Sequence, residues 1–298
     1  MKAVKKFYDE KPIITAIVIT IITACVLVFE GFVRKLFLLD ADPYVQQLVG
    51  EIILTAYAVA LVVIFKQGRV FKWSTKGFFR GQLSGGYIIV VATFNFFLVG
   101  SLVLYWDELD ETLIDSYTAM GMDLGGYVPQ TDAHVIAFLI TMIFIGIAEE
   151  TIFRGVVADR LIRYFGTTKS GVVKAAAISG ALFGALHLMN ARSTGIVSAS
   201  IQAVAAGFMG AVFAVIYYKA GTLWATIALH AYNDFAVTAF RGGFYGAASG
   251  GAVTDGMNYS PVTLLSLIPY VIVLLILIRK KNIAKIAENY AGLCDADA

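Results

Sequence analysis

The chain has 298 residues, 59% of them hydrophobic and 15% charged, with a formal net charge of +2 and a mean hydropathy of +0.77. A soluble domain is roughly a quarter charged, so this composition argues against an ordinary soluble globule and predicts an integral membrane protein. The near-neutral balance offers no basic excess for nucleic acid, and Cys25 and Cys294 lie too far apart to suggest a disulfide framework or a thiolate metal site.

Lysines precede the first apolar run, as they do in a signal peptide, but the run is long and lacks a clear small-residue cleavage site. It reads as a retained first helix. Hydropathy then marks about eight spanning segments, near Ile13–Glu30, Leu48–Phe65, Tyr87–Tyr105, Val135–Val157, Lys174–Ala191, Ile196–Tyr218, Leu223–Phe240 and Val262–Ile278. Each should be a helix, because a lone strand in lipid leaves its backbone groups unpaired. With eight passes, the basic groups all fall on one side: Lys2 to Lys11, Lys66 to Arg80, Arg160 to Lys169, Lys219, and Arg279 to Lys281. The acidic loop Asp107 to Asp123 falls on the other. The bias of Lys and Arg toward the cytoplasm therefore predicts that both termini are cytoplasmic. The Gly-rich stretch Gly242–Gly256 reads as an extracytoplasmic loop, and Tyr105, Trp106 and Trp224 as interfacial belt residues. Small residues recur at Gly180 and Gly184, and at Ala203, Gly207, Gly210, Ala211 and Ala214. Such spacing lets helix backbones approach closely. The expectation is an all-α, polytopic helix bundle, one domain over residues 1–298, located in the cell membrane.

Ionisable residues inside a membrane are costly and point to function. The fourth segment carries Glu149, Glu150 and Arg154, the fifth Phe183 and His187, and the seventh His230, Asn233 and Asp234. Two of the chain's three histidines lie in these segments; His134 sits at a predicted helix end and reads as interfacial. Glu150 and Arg154 are four apart and share a helix face, whereas Glu149 is turned by about 100°. One carboxylate can thus be held by arginine while its neighbour stays available. His230 and Asp234 also share a face. A desolvated carboxylate suits general-base work, and a histidine beside it can help orient and deprotonate water. A second histidine with an amide or a protonated acid can donate to a developing oxyanion. That set fits peptide hydrolysis by water, with no cofactor required. The same Glu149, His187 and His230 could instead ligate a divalent metal such as zinc, leaving a position open for water. A serine route is weaker: there is no G-x-S-x-G elbow, and Ser179 and Ser198 have no evident base.

The order E-E-x-x-F-R, then F-x-x-x-H, then H-x-x-x-N/D, on successive apolar helices, resembles the CPBP family of CAAX prenyl endopeptidases and bacteriocin-processing relatives, also called the abortive infection family. Residues 135–240 carry the resemblance as a catalytic core. It implies an intramembrane endopeptidase acting on membrane-associated, prenylated or precursor peptides. In that reading Glu149 activates water, His187 is its partner, His230 and Asp234 form the oxyanion side, and Glu150 with Arg154 supports them. Relatives often carry asparagine at the position of Asp234. An ionised carboxylate cannot donate a hydrogen bond, so Asp234 must be protonated, be assisted by Asn233, or serve to orient His230.

Glu149 and His187 can cooperate only at a common depth. This requires the fourth helix to run unbroken past Glu150 to about Arg163, bringing the two groups within water-bridged reach. Two other readings compete with the protease. One is a non-catalytic membrane immunity or scaffold protein of the same family. The other is a proton-coupled transporter with Glu149 and His187 as relay, although no repeated half with broken helices is apparent.

Overall fold

The computed structural model describes residues 7–94, 127–129, 131–238, 245–247 and 259–295. Proline opens each of the first two long helices. Helix α1 (Pro12–Phe37) has Pro12 in its first turn. Helix α2 (Pro43–Phe65) begins on Pro43, with the Asp42 side chain accepting from the Tyr44 N–H, and ends at Lys66 in the left-handed region. Proline there sacrifices no helical hydrogen bond. The chain continues through α3 (Thr75–Gly81) and a π-helical turn (Gln82–Gly86) into α4 (Tyr87–Phe94). The rest of the third expected segment, the acidic loop and most of the Gly-rich stretch lie outside the described residues. Strands β1 (Tyr127–Pro129) and β2 (Tyr245–Ala247) pair antiparallel as a small ribbon.

The next helix carries the paired glutamates. Thr131 caps it by accepting from the His134 N–H. It then runs as one 34-residue helix, α5 (Asp132–Phe165). The expected continuation past Glu150 is therefore present, but the winding changes. Asp132–Glu150 is α-helical, Thr151–Ala158 is π-helical, and Asp159–Phe165 is α-helical again. π-Helical turns are uncommon and concentrate at functional sites.

Helix α6 (Lys169–Leu186) starts at the Thr168 cap. A 3₁₀ corner (His187–Asn190) leads into α7 (Ala191–Ala220), which is kinked near its start at Gly195, with φ 78° and ψ 159°. That positive φ is open to glycine at little cost. The two helices fold back on one another: Gly180 meets Gly207 and Ala211, and Gly184 meets Ala203 and Gly207. A β-carbon at Gly180 would lie 2.5 Å from the Gly207 carbonyl oxygen. The fifth and sixth expected segments thus form one antiparallel hairpin closed by the small residues read from the sequence.

Helix α8 begins at Trp224 and is described through Thr238. A 3₁₀ turn (Pro261–Leu267) leads into α9 (Ile268–Leu277), and the amphipathic α10 (Lys280–Asp295) follows at a 75° bend. Among the described residues, four continuous runs are long and apolar enough to cross a bilayer, or five with the bent pair. The run from Lys169 to Ala220 is the hairpin just described. Among the described residues the molecule is an all-α bundle with this one short ribbon.

At one end of the bundle a buried carboxylate gathers the chain. Asp159 pairs with Arg69 at 2.5 Å and Arg163 at 3.2 Å, and accepts from the Tyr217 and Tyr290 hydroxyls at 3.2 and 2.8 Å. One turn earlier, the Tyr8 hydroxyl donates to the Val156 carbonyl, and Arg160 donates to the Tyr8 and Asp9 carbonyls. A buried charge is tolerated when it is paired and hydrogen-bonded, and Asp159 has both.

Candidate active site

Helices α5, α6 and α8 bring the expected residues to one place. His230, on α8, is the hub. Its Nδ1 lies 2.7 Å from Glu150 Oε1, and its Nε2 lies 3.3 Å from Glu149 Oε2 and 3.4 Å from Asp234 Oδ2. Both ring nitrogens face carboxylate oxygens. The ring therefore donates from both, or from one while a facing carboxyl carries the proton.

The adjacent glutamates divide as the helix geometry requires. Glu150 is fully buried, 3.2 Å from the Arg154 guanidinium. Arg154 is fully buried too, and its guanidinium lies over the Phe183 ring at 4.5 Å. Glu149 turns the other way and retains 19% side-chain exposure, with Asp234 at 21%. Those exposures decide which carboxylates water can reach: Glu149 and Asp234, not Glu150. Phe183 wedges between the polar groups. Its ring meets His187 edge-on at 4.9 Å and His230 at 5.9 Å.

His187 occupies the first position of the 3₁₀ corner, and its Nδ1 is 3.0 Å from the Phe183 carbonyl. A carbonyl only accepts, so Nδ1 carries the hydrogen. In the neutral ring Nε2 is then left as an acceptor. Glu149, His187, His230, Asn233 and Asp234 all line one cavity of about 270 Å³. The direct partner of Glu149 is His230 rather than His187; His187 shares the cavity with it. Asn233 Oδ1 accepts from the Tyr270 hydroxyl at 2.6 Å, and its amide nitrogen faces Met209 sulfur at 3.3 Å.

Residues outside the three sequence motifs complete the cavity, among them Glu30, Arg34, Glu51, Tyr259 and Tyr270. Tyr259 lies in the segment before α9. Burial, aided by the nearby Asp234 carboxylate, pushes its phenol up to about 12, so it stays protonated near neutrality. The histidine that read as interfacial is elsewhere: His134 stacks on Tyr44 and lies 2.9 Å from Asp42. Ser179 donates to the Phe153 carbonyl and Ser198 accepts from the Tyr259 N–H, so both serine hydroxyls serve the scaffold. Among the described residues, no group of three or more His, Cys, Asp or Glu is arranged to hold a metal ion.

Residues 131–236 match the family model described as Type II CAAX prenyl endopeptidase Rce1-like. This region is Rce1-like. The match supports the CPBP resemblance drawn from the three motifs, and at family level it points to CAAX-type endopeptidases. No curated protein and no solved structure matches the chain significantly. The Rce1-like region contains Glu149, Glu150, Arg154, Phe183, His187, His230, Asn233 and Asp234. Glu30, Arg34, Glu51, Tyr259 and Tyr270 reach the same cavity from outside it.

Proposed function

We propose that this chain is a multi-pass endopeptidase of the cell membrane. It hydrolyses a peptide bond in a membrane-associated peptide, prenylated or precursor, without a required cofactor. The observation that carries this reading is the division of the carboxylates. Glu149 and Asp234 open onto a cavity shared with both histidines, while Glu150 and Arg154 are sealed behind them.

In this reading a water is held between the Glu149 carboxylate and His187 Nε2. It attacks the substrate carbonyl carbon, and Glu149 takes its proton. The proton then passes to the departing amine, so no covalent intermediate forms. The His230 Nε2–H faces Glu149 in the resting site and, once Glu149 has taken the water's proton, donates instead to the developing oxyanion. Asp234, 3.4 Å from that nitrogen, orients the ring. Glu150 fixes the opposite nitrogen, and Arg154 and Phe183 hold Glu150 and the ring from behind.

The test is incubation of the purified protein, in lipid, with a peptide library that includes prenylated CAAX peptides. The Glu149→Ala variant serves as control, and each protein is assayed before and after exhaustive chelation. Glu149-dependent cleavage that survives chelation is expected. Cleavage lost on chelation and restored by zinc would assign Glu149, His187 and His230 to a metal instead. No Glu149-dependent cleavage of any peptide would favour the non-catalytic immunity or scaffold role.

A further inference from the structure

The cavity has a charged wall that the catalytic reading does not use. Helix α1 contributes Glu30 and Arg34, and helix α2 contributes Glu51; all lie outside the Rce1-like region. Arg34 is held on its own helix by both Glu30 oxygens, at 2.7 and 2.9 Å. Gly50 keeps this pair where it is: a β-carbon there would lie 2.5 Å from Glu30 Oε2. Arg34 is thereby committed to Glu30.

Glu51, one residue on from Gly50, lines the same cavity, and its Oε2 is closed off from solvent with no hydrogen-bond partner. The other charged groups on the cavity lining are the Glu30–Arg34 pair, Glu149, Asp234 and the two histidines. Glu149 and Asp234 already share His230. Among the described residues Glu51 thus forms no ion pair of its own: Arg34, the cation that acts on it at longer range, is held by Glu30. A carboxylate oxygen shut off from water without a partner is costly, and a substrate can supply that partner. We infer that Glu51 is a specificity residue that binds the cationic side chain of a lysine or arginine in the substrate peptide, opposite the Glu149–His230 centre. The inference rests on the cavity being the peptide site proposed above.

The experiment measures binding, so that it does not depend on turnover. The protein, carrying Glu149→Gln to prevent cleavage, is placed in nanodiscs of zwitterionic lipid. Fluorescent, N-acetylated apolar peptides carry one lysine at successive positions, and each is compared with its acetyl-lysine counterpart. At the favoured position, the free lysine should bind roughly 10- to 100-fold tighter, the worth of a charged hydrogen bond in a desolvated site. Glu51→Gln should collapse that ratio toward one, and Glu51→Asp should retain most of it. Binding of the acetyl-lysine peptide by Glu51→Gln reports that the variant is folded. If it is not folded, the parent protein and Glu51→Asp decide. Equal affinity for lysine and acetyl-lysine peptides at every position would overturn the inference, as would an unchanged ratio in folded Glu51→Gln. A preserved lysine preference in a protein that cleaves nothing would count against the peptidase reading and leave this one standing.

Discussion

Glu149 and Glu150 are neighbours in sequence with opposite fates, and the difference sets two expectations. Under the proposed mechanism Glu149→Gln keeps the shape and removes the base, so hydrolysis should fall by roughly 10²–10⁴-fold, with a thermal transition close to that of the parent. Arg154→Met instead strands Glu150, which is fully buried beside His230. Removing one partner of a buried pair costs about 3–5 kcal/mol. Thermal unfolding in detergent should show that loss, and the double variant Glu150→Gln/Arg154→Met should recover part of it. An Arg154→Met protein as stable as the parent would mean that the pair adds nothing to the fold. Glu149, Glu150, His187 and His230 were legible in the sequence because each puts an ionisable group inside an apolar run, at spacings that helix geometry converts into shared or separate faces. The bridging role of His230 was not legible, since it depends on how α8 rotates against α5. Glu51 and Tyr270 were not legible either: Glu51 is the single charged residue of Leu48–Phe65 and Tyr270 the single aromatic residue of Val262–Ile278, and neither has a charged partner at helical spacing within its segment.

Among the elements, the α6–α7 hairpin is the one most exposed to side-chain volume. Gly184 packs against the Ala203 carbonyl and the Gly207 backbone, with no room for a β-carbon. Gly184→Val should therefore part the helices, displace His187 at their corner, and abolish both a sharp thermal transition and activity. Gly31, on α1, has nothing within 4 Å of its would-be β-carbon. Gly31→Ala should leave activity intact and raise stability slightly, because alanine in a helix is favoured by about 0.5–1 kcal/mol. Comparable thermal shifts in the two variants would refute the close-contact account. The recurrence of small residues made this hairpin readable in advance. The π-helical winding of Thr151–Ala158 was not, because local sequence carries no period that separates it from an α-helix.

For the whole molecule, the distribution of Lys and Arg makes a topological prediction. Reporters fused after Lys76 and after Asp123 should lie on opposite sides of the membrane, with the former cytoplasmic; the same side for both would break the eight-pass reading. The Asp159 cluster supplies an independent geometric fact. Tyr8, near the start of the chain, and Tyr290, near its end, both hydrogen-bond to the backbone of α5 within four residues of one another, at Val156 and Asp159. The first and last described segments therefore meet at one end of the bundle. A chain whose first and last described segments reach the same helix can be closed into a ring. Joining them through a short peptide, with a split intein, should leave the fold and the cavity as they are. It should also slow thermal inactivation, because the circular chain loses less entropy when it folds.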